Sequence, residues 1–181
     1  IMTGYLSATD GRVLIDGCDI FEDPEAAKKK IGYLPEVPPL YMDMTPLEYL
    51  RLVTALRKIP HEKRDALIAS AIERTDIGPV IKRLIKNLSK GYRQRVGIAA
   101  ALAVDPSVII LDEPTVGLDP KQIIEIRELI RSLGKEHTVL LSSHILSEVS
   151  AICNKVLILS HGKLVAYDTP ENLEKRARGS G

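Results

Sequence analysis

Tryptophan is absent from this chain, phenylalanine occurs once, and aromatic residues together make up 4%. A platform for stacking nucleobases needs several aromatic faces, so that class of function is excluded. The formal net charge is only +1, which leaves no global field to recruit nucleic acid or an acidic surface. Cysteine occurs twice, at Cys18 and Cys153. Two are too few for a metal-type cluster, and both read as reduced, partly buried thiols. No apolar run approaches the roughly 18–20 residues that span a bilayer, and no signal peptide is visible at the N-terminus. What is present is ordinary for a globular domain: 181 residues, 45% hydrophobic and 27% charged, enough for one sizeable core.

The first forty residues read as the opening of an α/β core. "GRVLIDG" (11–17) predicts a short strand between glycine turns. "DPEAAKKK" (23–30) predicts a short helix with Asp23 as N-cap and Pro24 at its first position. "IGYLP" (31–35) predicts a buried strand stopped by Pro35, followed by a Pro-rich connection over 36–44. The texture then turns helical over about 41–90. Thr45, Pro46 and Glu48 make a capping box for a helix over 45–58. Apolar spacing predicts a second helix over 60–76 and a shorter third one over 78–88.

From residue 89 onward helices and aliphatic strands alternate. Helices are expected at 89–104, 119–134 and 145–152, and strands at 107–111, 138–142 and 155–160. "KLVAY" (163–167) and a helix from Thr169 close the chain. Such alternation predicts a mainly parallel sheet covered on both faces. The organisation is therefore one domain, with an α/β core over 1–40 and 91–181 and an inserted helical subdomain over about 41–90.

The chemistry concentrates at three places. "VIILDEP" (108–114) ends a strand in Asp112 and Glu113, and ligands of open α/β sheets sit at that edge. One carboxylate there suits a Mg²⁺ ion, and the other can orient or deprotonate a water. The bland alternative has Asp112 capping the next turn and Glu113 solvated. "NLSKGYRQR" (87–95) begins a helix at Ser89 with open amides near Gly91, which is either an anion site or simply a capped surface helix. "LLSSH" (140–144) carries His144 to another strand end, where a lone histidine is commonly structural but can also donate to a phosphate. In "VGLDP" (116–120), Asp119 is a plausible N-cap.

Taken in order, these pieces resemble the ATP-binding-cassette (ABC) ATPases along essentially the whole chain. "LSKGYRQR" is similar to the family's signature motif, although Lys90 replaces a common glycine and Tyr92 a common glutamine. "VIILDEP" is similar to the Walker B strand, "GLD" (117–119) to the D-loop, and His144 to the switch histidine. "IGYLPE" resembles the Q-loop strand with Glu36 where glutamine is usual. An ionised Glu36 only accepts hydrogen bonds and adds negative charge beside Asp112 and Glu113.

The resemblance implies a P-loop-NTPase-type α/β fold that binds ATP and Mg²⁺. Glu113 would be the catalytic base, His144 a γ-phosphate contact, and Asp112 and Glu36 the metal side. Ser89, Lys90, Gly91, Gln94 and Asp119 would meet nucleotide across a dimer of cassettes, identical or not. The helical insert would dock on an integral membrane permease, with Pro38, Pro39, Leu40, Tyr41, Met42 and Met44 lining the groove. The protein would sit peripherally on the cytoplasmic side of the membrane, with no nucleic-acid partner. "LPE" followed by "PPLY" resembles the exporter branch.

No G-x-x-x-x-G-K-[ST] loop occurs in the 181 residues; "GKEH" (134–137) and "GKLV" (162–165) lack its other members. Ile1 is not an initiator residue, and residues 1–17 resemble the stretch that follows a P-loop helix. The phosphate loop is therefore expected ahead of Ile1, with the sheet edge it would fill left unpaired. "RGSG" (178–181) is either natural or a remnant of a tag. Two alternatives stay open: a non-catalytic interaction module that lends its signature face to a complete cassette, and a non-transport ABC ATPase.

Overall fold

The computed structural model describes residues 1–179, so Ser180 and Gly181 of "RGSG" lie outside the described residues. The chain divides into two compact units, Ile1–Leu140 and Leu141–Gly181.

The first unit opens with a minimal hairpin of β1 (Leu14–Ile15) and β2 (Cys18–Asp19), with Ile15 opposite Cys18. Asp16 and Gly17 between them both have positive φ, 46° and 78°. That is the turn geometry whose twist matches a hairpin, and Asp-Gly is a favoured pair for it. The strand expected over 11–17 is thus two short strands folded back on each other. Helix α1 (Pro24–Lys29) starts as expected, with the Asp23 carboxylate accepting from the Ala26 amide at 3.1 Å.

Strand β3 (Ile31–Leu34) leads into α2 (Pro46–Leu56) and α3 (His61–Thr75). The capping box is formed: the Thr45 amide donates to Glu48 Oε2 at 2.8 Å, and the Glu48 amide donates back to Thr45 Oγ1 at 3.3 Å. Those Thr45 hydrogen bonds, the backbone one foremost, hold the Glu48 carboxyl below its usual pKa. The helix expected over 78–88 is not formed. Two 3₁₀ turns, Gly78–Val80 and Ile85–Asn87, stand in its place. The reason lies in the amides of Ile85 and Lys86, which donate to Met44 O (2.9 Å) and Met42 O (3.0 Å) in the Pro-rich connection. An amide spent there cannot close a helical turn.

Then follow α4 (Lys90–Leu102), β4 (Val108–Asp112), α5 (Pro120–Leu133) and β5 (Thr138–Ser142). The sheet order is β3-β4-β5. Strands β3 and β4 are parallel, with Ile31 opposite Val108 and Leu34 opposite Leu111. The Thr138 amide donates to Ser107 O at 3.1 Å, so β5 begins beside the start of β4. Leu34, Ile98, Ile109 and Leu111 are fully buried in the core. The fold class is the one expected: a parallel sheet flanked by helices, with an all-helical stretch between β3 and α4.

Three arginines tie that helical stretch to its surroundings. Arg57, at the end of α2, donates through Nη2 to Lys28 O in the last turn of α1 and to Ile31 O at 2.8 Å. Burial lowers its pKa from the ordinary value, yet a guanidinium stays charged and suits the carbonyl end of a helix. Arg95 bridges Thr75 O (3.0 Å) and the Glu125 carboxylate (2.8 Å). Arg74 meets Glu136 at 3.1 Å and His137 Nε2 at 3.2 Å. Hydrogen bonds from a charged donor contribute about 1.5–3 kcal/mol. Arg57→Met should therefore lower unfolding free energy by about 2 kcal/mol in urea titrations; an unchanged midpoint would show that this brace carries nothing.

The second unit holds α6 (Leu146–Ile152), β6 (Val156–Ser160), β7 (Lys163–Asp168) and α7 (Pro170–Gly179). The strand expected at 155–160 in the parallel sheet pairs instead with β7, antiparallel, across the turn His161-Gly162. A two-residue link permits only this antiparallel return, because a parallel partner needs a crossover of a dozen residues or more. Two strands alone bury neither face, and Leu157, Leu159, Leu164 and Val165 remain exposed. Among the described residues no helix is long and apolar enough to cross a membrane.

Candidate functional site

The carboxylates stand where the sheet topology makes an open edge. Leu34, the last residue of β3, pairs with Leu111, one residue before the end of parallel β4. Pro35-Glu36 and Asp112-Glu113 therefore leave neighbouring strands at the same carboxyl edge, where α/β sheets bind ligands. Glu36 is exposed, while Asp112 and Glu113 are half-buried. Burial first, and the Asp112 charge second, hold the Tyr33 phenol above its usual pKa.

Glu113 has φ 46°, left-handed backbone on a non-glycine residue immediately before Pro114. Such a conformation costs about 1–3 kcal/mol and survives only where the surroundings over-determine it. Here the chain turns twice at once: the Val116 amide donates to Glu113 O and the Leu118 amide to Thr115 O, both at 3.2 Å. Thr115 is buried at 4% exposure, and Gly117 supplies a second positive φ of 69°. Asp119 then caps α5, accepting from the Gln122 amide at 2.9 Å.

The start of α4 is built as expected. Ser89 Oγ accepts from the Tyr92 amide at 3.3 Å. Ser89 and Lys90 are exposed, and Gly91 is buried with Gln94 at 5% exposure. The structure brings this helix start against the start of α5. A Cβ at Gly117 would collide with the Lys90 ammonium, and one at Gly91 would lie 2.6 Å from Gln122 Cδ. His144 belongs to the second unit, exposed beyond β5, where the Ile145 amide donates to Ser143 Oγ at 3.1 Å.

Among the described residues no group of three or more His, Cys, Asp and Glu side chains gathers as a metal cage. A groove of about 350 Å³ lies between Pro39, Leu40, Tyr41, Tyr49, Leu52 and Leu56. Of the residues expected to line it, Pro39, Leu40 and Tyr41 do, while Pro38, Met42 and Met44 are not in its lining; the carbonyls of Met44 and Met42 accept from the Ile85 and Lys86 amides.

Sequence reasoning missed Gln122 and the Arg95–Glu125 pair. Gln122 carried one visible signal, its place three residues after the cap Asp119. Its packing on Gly91 is long-range, and no local pattern encodes it.

Comparison with known proteins gives a consistent picture. A family model described as ABC transporter matches residues 1–116. The lantibiotic transport ATP-binding protein SrtF of Streptococcus pyogenes is 37% identical over 179 residues, covering 97% of this chain and 75% of that protein. The bacitracin transport ATP-binding protein BcrA of Bacillus licheniformis is 39% identical over 180 residues, covering 98% of this chain and 58% of that protein. Among solved structures, cbiO1 from Clostridium perfringens, part of the ABC transporter complex cbiONQ, superposes with a TM-score of 0.87 at 26% identity. That match covers 98% of this chain and 73% of the other.

Proposed function

The chain belongs to the ABC transporter family as an ATP-binding subunit, and from that membership we propose that it hydrolyses ATP between two paired cassettes to drive export through a membrane permease. The observation that carries the enzymatic reading is the carboxylate pair at the open edge of β4, with Glu113 held in left-handed backbone.

In this reading Glu113 accepts a proton from the attacking water and aligns it with the terminal phosphoryl group. Asp112 and Glu36 would hold Mg²⁺, which would offset phosphate charge when bound. His144 donates a hydrogen bond to the γ-phosphate. Ser89 and the amides at Gly91 act in trans, aiming the positive end of α4 at the nucleotide of the second cassette. Gln94, being buried, supports that helix start from behind. Asp119, already spent as a cap, fixes the turn that faces the second cassette. The stretch over about 41–90 is the helical subdomain, and its groove beside Tyr41 and Tyr49 takes an apolar element of the permease, placing the protein on the cytoplasmic membrane face. The resemblance of "LPE" to the exporter branch supports export, as do relatives named for transport of lantibiotic and bacitracin.

The trans role has a clean test. Aspartate caps a helix about as well as serine, so Ser89→Asp keeps α4 while presenting negative charge to the phosphate. Like charges about 4 Å apart repel by roughly 1–4 kcal/mol, so turnover should fall about ten-fold or more. Unchanged hydrolysis in the whole protein would remove the signature helix from the site. Co-purification with a multi-span membrane protein tests the permease.

A further inference from the structure

We propose that Lys90 and Gln122 are positioning residues that interlock the start of α4 with the 115–118 turn and the start of α5, so that both move as one body. The proposal rests on the ATPase reading above for its consequence, though not for its geometry.

The geometry is reciprocal. Lys90, the first residue of α4, lays its ammonium over Gly117, and Gln122, on the first turn of α5, lays its amide over Gly91. Each crossing side chain rises from a capped helix start: Ser89 caps the Lys90 turn and Asp119 caps the Gln122 turn. Each lands on a residue without a Cβ. At Gly91 a Cβ would stand 2.8 Å from Gln122 Oε1 and 3.0 Å from Nε2. At Gly117 the φ of 69° already favours glycine, and the missing Cβ is the space that the Lys90 head fills.

In the paired cassettes, Ser89 meets phosphate and 117–119 meets the second subunit. The interlock makes a displacement at one a displacement at the other.

The test uses the whole protein and two readouts, amide hydrogen exchange over 115–122 and steady-state ATP hydrolysis. In Lys90→Met, exchange at 116–118 should rise about ten-fold with the melting temperature unchanged. The kcat should fall about ten-fold while KM for MgATP stays within about two-fold, as expected for a group that acts through another. Lys90→Arg should restore both, since it keeps a cation on a stem long enough to cross. Gln122→Ala should loosen the same amides. Gly117→Ala expels the Lys90 head, so adding Lys90→Met to it should cost nothing more.

Unchanged exchange in both Lys90→Met and Gln122→Ala would overturn the interlock. So would effects that multiply in the double variant, or a raised KM with undisturbed exchange, which would make Lys90 a direct phosphate contact. If the unsubstituted protein hydrolyses no ATP, the functional reading fails, and exchange alone still decides the interlock.

Discussion

Replacing Glu113 with glutamine should cut ATP turnover of the whole protein by roughly 10²-fold or more while nucleotide binding is kept. The substitution is nearly isosteric. It keeps a non-glycine side chain at φ 46°, so the strained turn is neither relieved nor worsened. What it removes is the basic oxygen and its charge. A hundred-fold loss corresponds to about 2.7 kcal/mol of transition-state stabilisation, within what one positioned general base supplies. The single-turnover rate with MgATP pre-bound is the measurement, because it isolates chemistry from product release. Near-normal chemistry in Glu113→Gln would return the residue to the bland reading, a solvated carboxylate after a strand. Retained binding with lost chemistry would separate Glu113 from its neighbour Asp112, whose removal should weaken metal-dependent binding as well.

How much of this was legible in the sequence depends on the range of the interaction. Local signals are legible where the physics is local. Thr45-Pro46-Glu48 predicts its capping box, Asp23 and Ser89 cap the helices expected of them, and "TVLLS" is β5. Errors came where a distant group claimed a backbone atom. Residues 78–88 have helical spacing, but the carbonyls of Met44 and Met42, far away in the chain, take the Ile85 and Lys86 amides. "GRVLIDG" reads as one strand because alternation does not distinguish a strand from a two-residue hairpin within it; the positive φ at Asp16 and Gly17 does. At the candidate site the residue types were readable, since Asp-Glu after an aliphatic run is a chemical pattern. The crossing of Lys90 over Gly117 was not, because a glycine in "VGLDP" looks the same whether it turns the chain or makes room for a neighbour.

The largest effect on stability should come from β3. Gly32 is buried opposite Ile109. A Cβ there would collide with the Ala101 carbonyl oxygen and stand 3.0 Å from its carbon and 3.1 Å from Pro106 Cγ. Two effects of Gly32→Ala oppose each other. Restricting the unfolded chain favours the variant by about 0.4–1 kcal/mol. Overpacking costs about 1–3 kcal/mol, and here the obstacle is helix backbone rather than the free end of a side chain. The clash wins, so Gly32→Ala should destabilise by about 1–2 kcal/mol and Gly32→Val by about 3 kcal/mol or more. Gly134 is the control. It sits at φ −62° with its nearest obstacle, Arg131 O, 3.6 Å from a Cβ, so nothing opposes the entropic gain. Gly134→Ala should therefore stabilise by about 0.4–1 kcal/mol. Urea midpoints of opposite sign for the same chemical change would place the cause in the close approach of α4 to β3. Destabilisation of equal size at both positions would refute it. Because α4 begins at Lys90 with Ser89 as its cap, a helix pushed off β3 also displaces both residues, so in the proposed ATPase Gly32→Ala should lose turnover at temperatures where it is still folded.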